Sequence, residues 1–180
     1  MRKFIENIKR KFLLKQSKTV FAVREFTPVK KATTLAVLYL AEHEQCEAIL
    51  KKLKIFCEEN HLKLISFGYF DDKQLNTHLI PTSSADFFCN KHLDSFKLPH
   101  KSEFIRFTDK KFDFLLNIYP PTCLPLLGLS SLSEAKFRVG SYLPQYSFCF
   151  DLMLKSNHDD LLVFTDEILN YIKNFGNGKI

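Results

Sequence analysis

Glycine is scarce in this chain, which has five glycines among 180 residues. They lie far apart, at Gly68, Gly128, Gly140, Gly176 and Gly178. Their spacing cannot form GxGxxG or GxxxxGK[ST], whose glycines let the backbone approach a phosphate closely. The sequence therefore excludes both the dinucleotide fingerprint and the P-loop.

Long hydrophobic runs are also missing. The longest uninterrupted apolar stretch, residues 35–41, is far shorter than the roughly 20 residues that cross a bilayer. The first residues, MRKFIENIKRKF, interleave charges with apolar side chains and contain no continuous hydrophobic segment. We therefore expect no transmembrane helix, no secretory signal and a location in the cytoplasm.

Standard metal and nucleophile motifs are absent. The sequence has no CxxC pair, no HExxH and no GxSxG, and its six histidines have no metal-ligand spacing. We predict no metal site, and no cofactor is indicated. The five cysteines are expected to be reduced and to act as small apolar side chains. Only Cys123 lies where a reactive thiolate is plausible.

Positive charge is confined to the N-terminus. Residues 1–31 contain ten Lys or Arg and two Glu, whereas the remainder contains sixteen basic and eighteen acidic residues. The net charges are thus +8 and −2, which together give the overall +6. A domain that binds nucleic acid is usually basic over its folded body, so nucleic-acid binding is not expected.

The first residues read as a basic amphipathic helix. Phe4, Ile5, Ile8 and Phe12 fall at helical spacing, and basic residues fill much of the remainder: Arg2, Lys3, Lys9, Arg10 and Lys11. The favoured interpretation is that this apolar stripe docks onto the protein's own body or onto a second subunit, as in a homo-oligomer. Peripheral contact with an anionic inner-membrane surface is the alternative, with Arg10 and Lys11 as contacts.

Residues 1–31 are interpreted as a helix and linker, and residues 32–180 as a single α/β domain. The continuous apolar runs 34–41 and 62–70 predict two buried strands, the first of them central. Between them, residues 46–57 repeat apolar side chains at helical spacing, and Asn60 stands where a left-handed residue would end the helix. This strand–helix–strand order predicts a parallel pair with a right-handed crossover.

The middle of the chain, residues 73–102, is less regular, with the pair Phe87–Phe88 and a short possible helix from Asn90. The run 112–119 predicts a third strand, which Pro120–Pro121 must end because proline cannot donate a ladder hydrogen bond.

A helix is expected to follow, capped by Thr122, with Pro125 in its first turn and its end near residue 132. Residues 136–139 and 148–154 are further strand candidates, separated by a turn around Gly140 and Pro144. A last helix is predicted from 157 to 176. The fold class is therefore α/β: a three-layer, mostly parallel, doubly wound sheet of the Rossmann or flavodoxin type.

Ligands of open parallel sheets bind beyond the carboxyl ends of the strands. Two places qualify in this sequence. Asp71 and Asp72 follow the second strand, and adjacent carboxylates suit a divalent cation or a ribose hydroxyl, although a solvated turn is the simpler reading. Residues 119–123 are the other place, where N–H groups at a helix N-terminus and the Thr122 hydroxyl would hold an anion. The alternative there is an ordinary Pro-Pro turn with a threonine cap. This second site also includes Tyr119 and Cys123.

A family resemblance is carried by FDFLLNIYPPTCLPLLGLSSLSEAKFRVGSY, the preceding LAVLYL and the later FDLML. These segments resemble a bacterial family of uncharacterised proteins, classed as a domain of unknown function. Its members look like a basic N-terminal helix followed by a small α/β domain. The resemblance covers most of the chain and implies no known activity, cofactor or catalytic residue.

The same region is more loosely similar to the N-terminal half of lipopolysaccharide heptosyltransferases. In those enzymes an acid-containing strand leads to a Leu-rich helix and then to a basic–apolar–Gly strand. Asp113, Arg138 and Gly140 fit that pattern, whereas Asn117 stands where both families commonly place an acid. This similarity implies a sugar- or nucleotide-related site that includes Asp113 and Arg138.

Two functional classes follow. The favoured one is a non-enzymatic binding or assembly module of the bacterial cytoplasm, whose N-terminal helix meets a partner. The alternative is a small sugar- or nucleotide-related enzyme, or a degenerate glycosyltransferase-like domain, that uses strand ends near Asp71, Asp113 and Thr122.

Overall fold

A computed structural model of the chain describes residues 2–73, 82–100, 104–155 and 160–175. The predicted positions Pro81, Asn157, Asp159 and Gly176 lie outside these ranges. The strands are β1 (Thr34–Leu40), β2 (Lys63–Phe70), β3 (Ala85–Cys89), β4 (Phe114–Ile118), β5 (Phe137–Ser141) and β6 (Leu152–Leu154). The helices are α1 (Arg2–Ser17), α2 (Cys46–Glu59), α3 (Ile105–Thr108), α4 (Leu124–Leu132) and α5 (Leu161–Phe175).

The six strands form one parallel sheet in the order β3-β2-β1-β4-β5-β6. The predicted parallel pairing of β1 with β2 is confirmed, and β1 is central, with β4 on its other side. The strand order reverses direction between β1 and β4. In this doubly wound topology, the crevice beyond the carboxyl ends of those two strands is where ligands bind.

Helices cover both faces of the sheet, so the predicted three-layer architecture is confirmed. Successive side chains of a strand point to opposite faces. Leu35 and Val37 of β1 contribute to the core beneath α2 and α5, whereas Ala36 and Leu38 contribute to the core on the opposite face, which also contains residues of α1, α3 and α4. The continuous apolar run of β1 is thereby explained.

Helix α4 lies between α1 and the sheet. Every residue from Pro125 to Leu132 is buried, so this helix has no solvent face. Leu13 of α1 is fully buried and packs over α4. Gly128 of α4 permits the close approach of Pro99, because a Cβ there would lie 2.5 Å from Pro99 Cδ. Helix α1 therefore helps to shield α4 from solvent.

The least regular region of the sequence contains a strand that the periodicity does not predict. Residues 85–89 form β3 at one edge of the sheet, paired with β2, and Asn90–His92 forms a short 3-10 helix. An edge strand needs only part of its surface buried, so it can include a charged residue such as Asp86. Asp86 and the Ser-rich turn before it interrupt the apolar pattern from which a strand would be predicted.

Three local predictions are wrong. Asn60 does not adopt the left-handed conformation that ends α2; the next residue, His61, does, with φ of 57°. Gly140 lies inside β5 rather than in a turn. A glycine is needed there because a Cβ would lie 2.4 Å from Cε1 of Phe150. Of the predicted strand 148–154 only Leu152–Leu154 is extended, since Pro144–Cys149 forms a 3-10 helix.

Candidate functional site

A cavity of about 460 Å³ opens at the carboxyl end of the sheet, at the point where the strand order reverses. Its floor comes from the ends of β1 and β2, through Leu40 and Tyr69. One wall is the loop from β4 into α4, and Lys9 of α1 stands at the rim. We call this space the switch-point cavity. It is lined by Lys9, Leu40, Glu42, Tyr69, Asp71, Lys97, Pro120, Thr122, Cys123, Leu124 and Pro125.

Asp71 is the centre of a hydrogen-bonded cluster in this cavity. Its Oδ1 lies 3.1 Å from the Tyr69 hydroxyl and accepts from Asn90 Nδ2 at 3.0 Å and from Lys97 Nζ at 3.3 Å. The Tyr69 hydroxyl also lies 2.7 Å from Asn90 Oδ1. The Asn90 amide, with help from Tyr69 and Lys97, lowers the pKa of Asp71 below its usual value. Asp71 is therefore a carboxylate at neutral pH, held in one orientation.

Several charged atoms at the rim of the switch-point cavity have no hydrogen-bond partner among the described residues. Glu42 uses Oε2 to accept from the backbone N–H of Asp71 at 3.1 Å, and its Oε1 is left over. The Lys9 ammonium forms no ion pair or hydrogen bond within the part of the chain that the structure describes. The rim therefore offers one cation and two carboxylates with spare oxygen atoms.

The N-terminus of α4 faces the same cavity, but several of its donors are used internally or missing. The N–H of Cys123 donates to Pro120 O, the N–H of Leu124 donates to Thr122 O, and Pro125 has no N–H. Thr122 is exposed and does not cap α4, whose N-cap residue is Cys123 without a side-chain cap. The predicted cap is therefore wrong. Fewer backbone donors are therefore free here than the anion site predicted at residues 119–123 assumes, and that site stays a prediction.

The Cys123 thiol is not poised for nucleophilic attack. Burial raises its pKa to about 12, against a smaller opposing effect of the Leu126 N–H. A reactive cysteine instead needs a lowered pKa and an electropositive setting. Cys123 acts as a neutral wall of the cavity.

Tyr119 is turned away from the cavity. Its side chain is buried in the core on the α4 face, and its hydroxyl donates to Asn117 Oδ1 at 3.1 Å. Burial raises the pKa of Tyr119 well above its usual value. The Asn117 amide in turn donates to Val139 O at 2.9 Å. The structure therefore does not bring Tyr119 together with Thr122 and Asp71.

Asp113 lies at the opposite end of the sheet, where the strands begin. Its Oδ2 accepts hydrogen bonds from the backbone N–H and the hydroxyl of both Thr33 and Thr34, and its Oδ1 accepts from Lys136 Nζ at 2.7 Å. Although burial opposes ionisation, these donors lower the pKa of Asp113 to about 2. The carboxylate ties the start of β1 to the start of β4, and it is remote from Asp71 in the fold.

Arg138 is likewise held inside the structure. Its guanidinium donates to both oxygens of Asp151, from Nε at 3.0 Å and from Nη2 at 3.2 Å, and Nη1 donates to Ser130 O. The side chain is 6% exposed. Asp113 and Arg138, the residues implied by the transferase resemblance, are thus both used in internal contacts and neither lines the switch-point cavity.

The predicted apolar stripe of α1 faces solvent rather than the body. Phe4 is 69% exposed, and Ile5, Ile8 and Phe12 are exposed as well. The helix contacts the body through Leu13 on its other side, so the expectation that the stripe docks onto the protein's own body is wrong. Lys11 is exposed, whereas Arg10 is half-buried and its guanidinium lies 3.5 Å from Gln145 O.

Sequence reasoning missed most of the switch-point cavity. It identified Asp71, Thr122 and Cys123, but not the other polar residues that surround Asp71. The same positional argument applied to β1 would have found Glu42, which follows that strand directly. Lys9, Asn90 and Lys97 carry no such signal, because only the packing of α1 and of the loop after β3 brings them to this place.

The described residues contain no cluster of three or more metal-ligating side chains and no helix with the length and apolar character needed to cross a membrane. Comparison with protein families matches residues 2–175 to a family of unknown function, DUF6913. No curated protein matches the chain, and no solved structure does. The predicted membership of an uncharacterised family is confirmed, while the looser similarity to heptosyltransferases stays a prediction.

Proposed function

The chain belongs to DUF6913, a family of unknown function, and we propose that it is a binding module that docks on anionic lipid surfaces through the outward face of α1. That face consists of Phe4, Ile5, Ile8 and Phe12. In this proposal the protein works in the bacterial cytoplasm, at the inner leaflet of the membrane, and the α/β body presents the helix.

The observation that supports this function is the concentration of exposed apolar side chains near the N-terminus. Six of the twelve large apolar side chains that are exposed among the described residues lie between positions 4 and 23. Besides the outward face of α1 they include Phe21 and Val23, which are 91% and 79% exposed. Phe4, Ile8 and Phe12 lie four residues apart on one helix and therefore share one exposed face. Exposed apolar surface of this kind is typical of an interaction site.

Charge favours lipid over a second copy of the chain. The same N-terminal segment, residues 1–31, carries +8, and Lys11 and Lys15 are exposed on α1. Two such helices face to face would bring like charges together. An anionic lipid surface instead attracts each nearby Lys or Arg by about 1 kcal/mol and accepts the apolar side chains at the boundary between headgroups and acyl chains.

The experiment is co-sedimentation of the full-length protein with vesicles. We expect binding to vesicles that contain phosphatidylglycerol, weaker binding as salt rises, and little binding to pure phosphatidylcholine. The double variant Phe4→Gln/Ile8→Gln should weaken binding by about ten-fold or more, because each exposed apolar side chain that enters the boundary contributes on the order of 1 kcal/mol. Absence of binding to the anionic vesicles would overturn the proposal.

Ile55→Gln provides the matched control. Ile55 is exposed to nearly the same extent as Ile8, at 47% against 44%, but it lies on α2. Its substitution should leave vesicle binding unchanged. Sedimentation velocity without lipid tests the alternative: an oligomer that becomes monomeric in Phe4→Gln/Ile8→Gln would make the outward face a subunit interface and contradict the lipid proposal.

A further inference from the structure

We propose that the switch-point cavity binds a small zwitterion, an apolar amino acid or short peptide, with its carboxylate on Lys9 and its ammonium on Glu42 and Asp71. This site does not use the outward face of α1, so it stands or fails independently of lipid docking. Its volume of about 460 Å³ lies within the range of roughly 300–1,000 Å³ that is usual for small-molecule sites.

The donors and acceptors that remain free decide the class of ligand. A phosphate or other multiply charged anion would need several backbone donors of α4, but the N–H of Leu124 already donates to Thr122 O and Pro125 has no N–H. A simple cation would meet Lys9 and Lys97 at the rim. A ligand that carries both charges satisfies both sides at once.

The side chains already paired leave one complementary set. Lys97 is 3.3 Å from Asp71 Oδ1, which also accepts from Asn90, so that oxygen is satisfied. What remains is Asp71 Oδ2, Glu42 Oε1 and the Lys9 ammonium. Hydrogen bonds to charged groups of this kind are stronger than those between neutral groups.

The apolar part of the ligand has a matching wall. Leu40 lies at one side of the cavity, and Leu124 and Pro125 of α4 lie at the other, with Pro120 beside them. Because the Cys123 thiol is neutral, this wall carries no charge. An aliphatic side chain between the two charged ends would therefore be buried against carbon.

Isothermal titration calorimetry with four probes tests the proposal. The zwitterions are L-leucine and L-leucyl-L-leucine, and the singly charged analogues of leucine are 4-methylpentanoate and 3-methylbutylamine. We expect at least one zwitterion to bind with a Kd below about 1 mM and both analogues to bind about ten-fold more weakly or worse. If neither zwitterion binds, or if an analogue binds equally well, the proposal is overturned.

Two variants test which protein side chain binds each charged end of the ligand. Lys9→Gln should weaken zwitterion binding and leave the amine unaffected, whereas Glu42→Gln should weaken zwitterion binding and leave 4-methylpentanoate unaffected. Lys18→Gln and Glu44→Gln are the matched controls, because both side chains are exposed and neither lines the cavity. Equal loss of all probes in Lys9→Gln and Glu42→Gln would show a merely structural effect and contradict the assignment.

Discussion

Acidic side chains differ in burial and in hydrogen bonding between the two ends of the sheet. At the amino end, Asp113 is 5% exposed and accepts hydrogen bonds from two threonines and a lysine. At the carboxyl end, Asp71 and Glu42 are exposed and each retains an oxygen without a partner among the described residues. A carboxylate that is buried needs its full set of donors, whereas one at a cavity rim can keep acceptors free.

This difference separates structural residues from the residues that we propose to bind a ligand. The amino end holds β1, β4 and the chain before them together, so substitutions there should cost stability. We expect the carboxyl end to contribute less to stability, because Asp71 and Glu42 remain exposed to water in the folded state and lose little hydration on folding. Comparing variants from the two ends tests this division directly.

The largest effect is expected for Arg138→Met, which removes a buried guanidinium from Asp151 and Ser130 O. Breaking a buried pair by removing one partner typically costs about 3–5 kcal/mol. Urea unfolding followed by circular dichroism should show a free energy of unfolding lower by that amount. Lys54→Met, at an exposed position of α2, is the control and should change it by less than about 0.5 kcal/mol. A cost of Arg138→Met below about 1 kcal/mol would contradict the structural role.

Asp113→Ala should have the next largest effect. The substitution leaves the N–H groups of Thr33 and Thr34 without an acceptor, and each such group costs about 1–3 kcal/mol. We expect a loss of about 3 kcal/mol in urea unfolding. The matched variant at the other end, Asp71→Ala, should cost about 1 kcal/mol or less because the side chain is exposed. Equal costs for the two variants would remove the distinction between the two ends of the sheet.

Acid should weaken the amino end. Since the pKa of Asp113 is lowered to about 2 in the folded protein, its ionised form stabilises the fold above the usual aspartate pKa, and this contribution is lost as pH falls towards 2. The stability difference between the wild type and Asp113→Asn should therefore shrink by about 2 kcal/mol between pH 5 and pH 2. Urea titrations at a series of pH values measure this change. A stability difference that stays constant between pH 5 and pH 2 would show that these contacts do not lower the pKa of Asp113.

An effect about as small as that of Asp71→Ala is expected for Tyr69→Phe at the carboxyl end. Removing the hydroxyl takes a partner from Asp71 and Asn90 but leaves the buried ring in place. We expect a loss of about 1 kcal/mol, the usual net value of one hydrogen bond. A loss of 3 kcal/mol or more in urea unfolding, comparable with that of Asp113→Ala, would mean that this end of the sheet is also a structural anchor.

Much of the fold follows from local pattern. The run 34–41 predicts a central strand because a strand buried on both faces must be apolar throughout, and residues 46–57 predict α2 from their helical spacing. Residues 85–89 were not predicted as a strand, because Asp86 interrupts the apolar pattern of this edge strand. Gly140 was predicted in a turn but lies in β5, where the close approach of the Phe150 ring leaves no room for a Cβ.

The candidate site was predictable only where a strand end marked it. Asp71 was found because it follows β2, whereas Asp113 was included because the similarity to heptosyltransferases implied it. Their separation depends on which end of a strand each one adjoins. Asp113 precedes β4 and Asp71 follows β2, so in a parallel sheet they lie at opposite ends.

The amino-acid sequence alone determined the α/β class, the parallel pairing of β1 with β2 and the basic, amphipathic character of the first helix, because each depends on side-chain pattern within a short segment. The tertiary structure alone decided that the apolar stripe of α1 faces solvent and that Lys9 joins Glu42 and Asp71 in one cavity. Both outcomes depend on how α1 docks through Leu13 onto α4, a helix more than a hundred residues away in sequence. Such long-range packing depends on the summed burial of many side chains. It produces no periodic pattern in the sequence of either contacting segment.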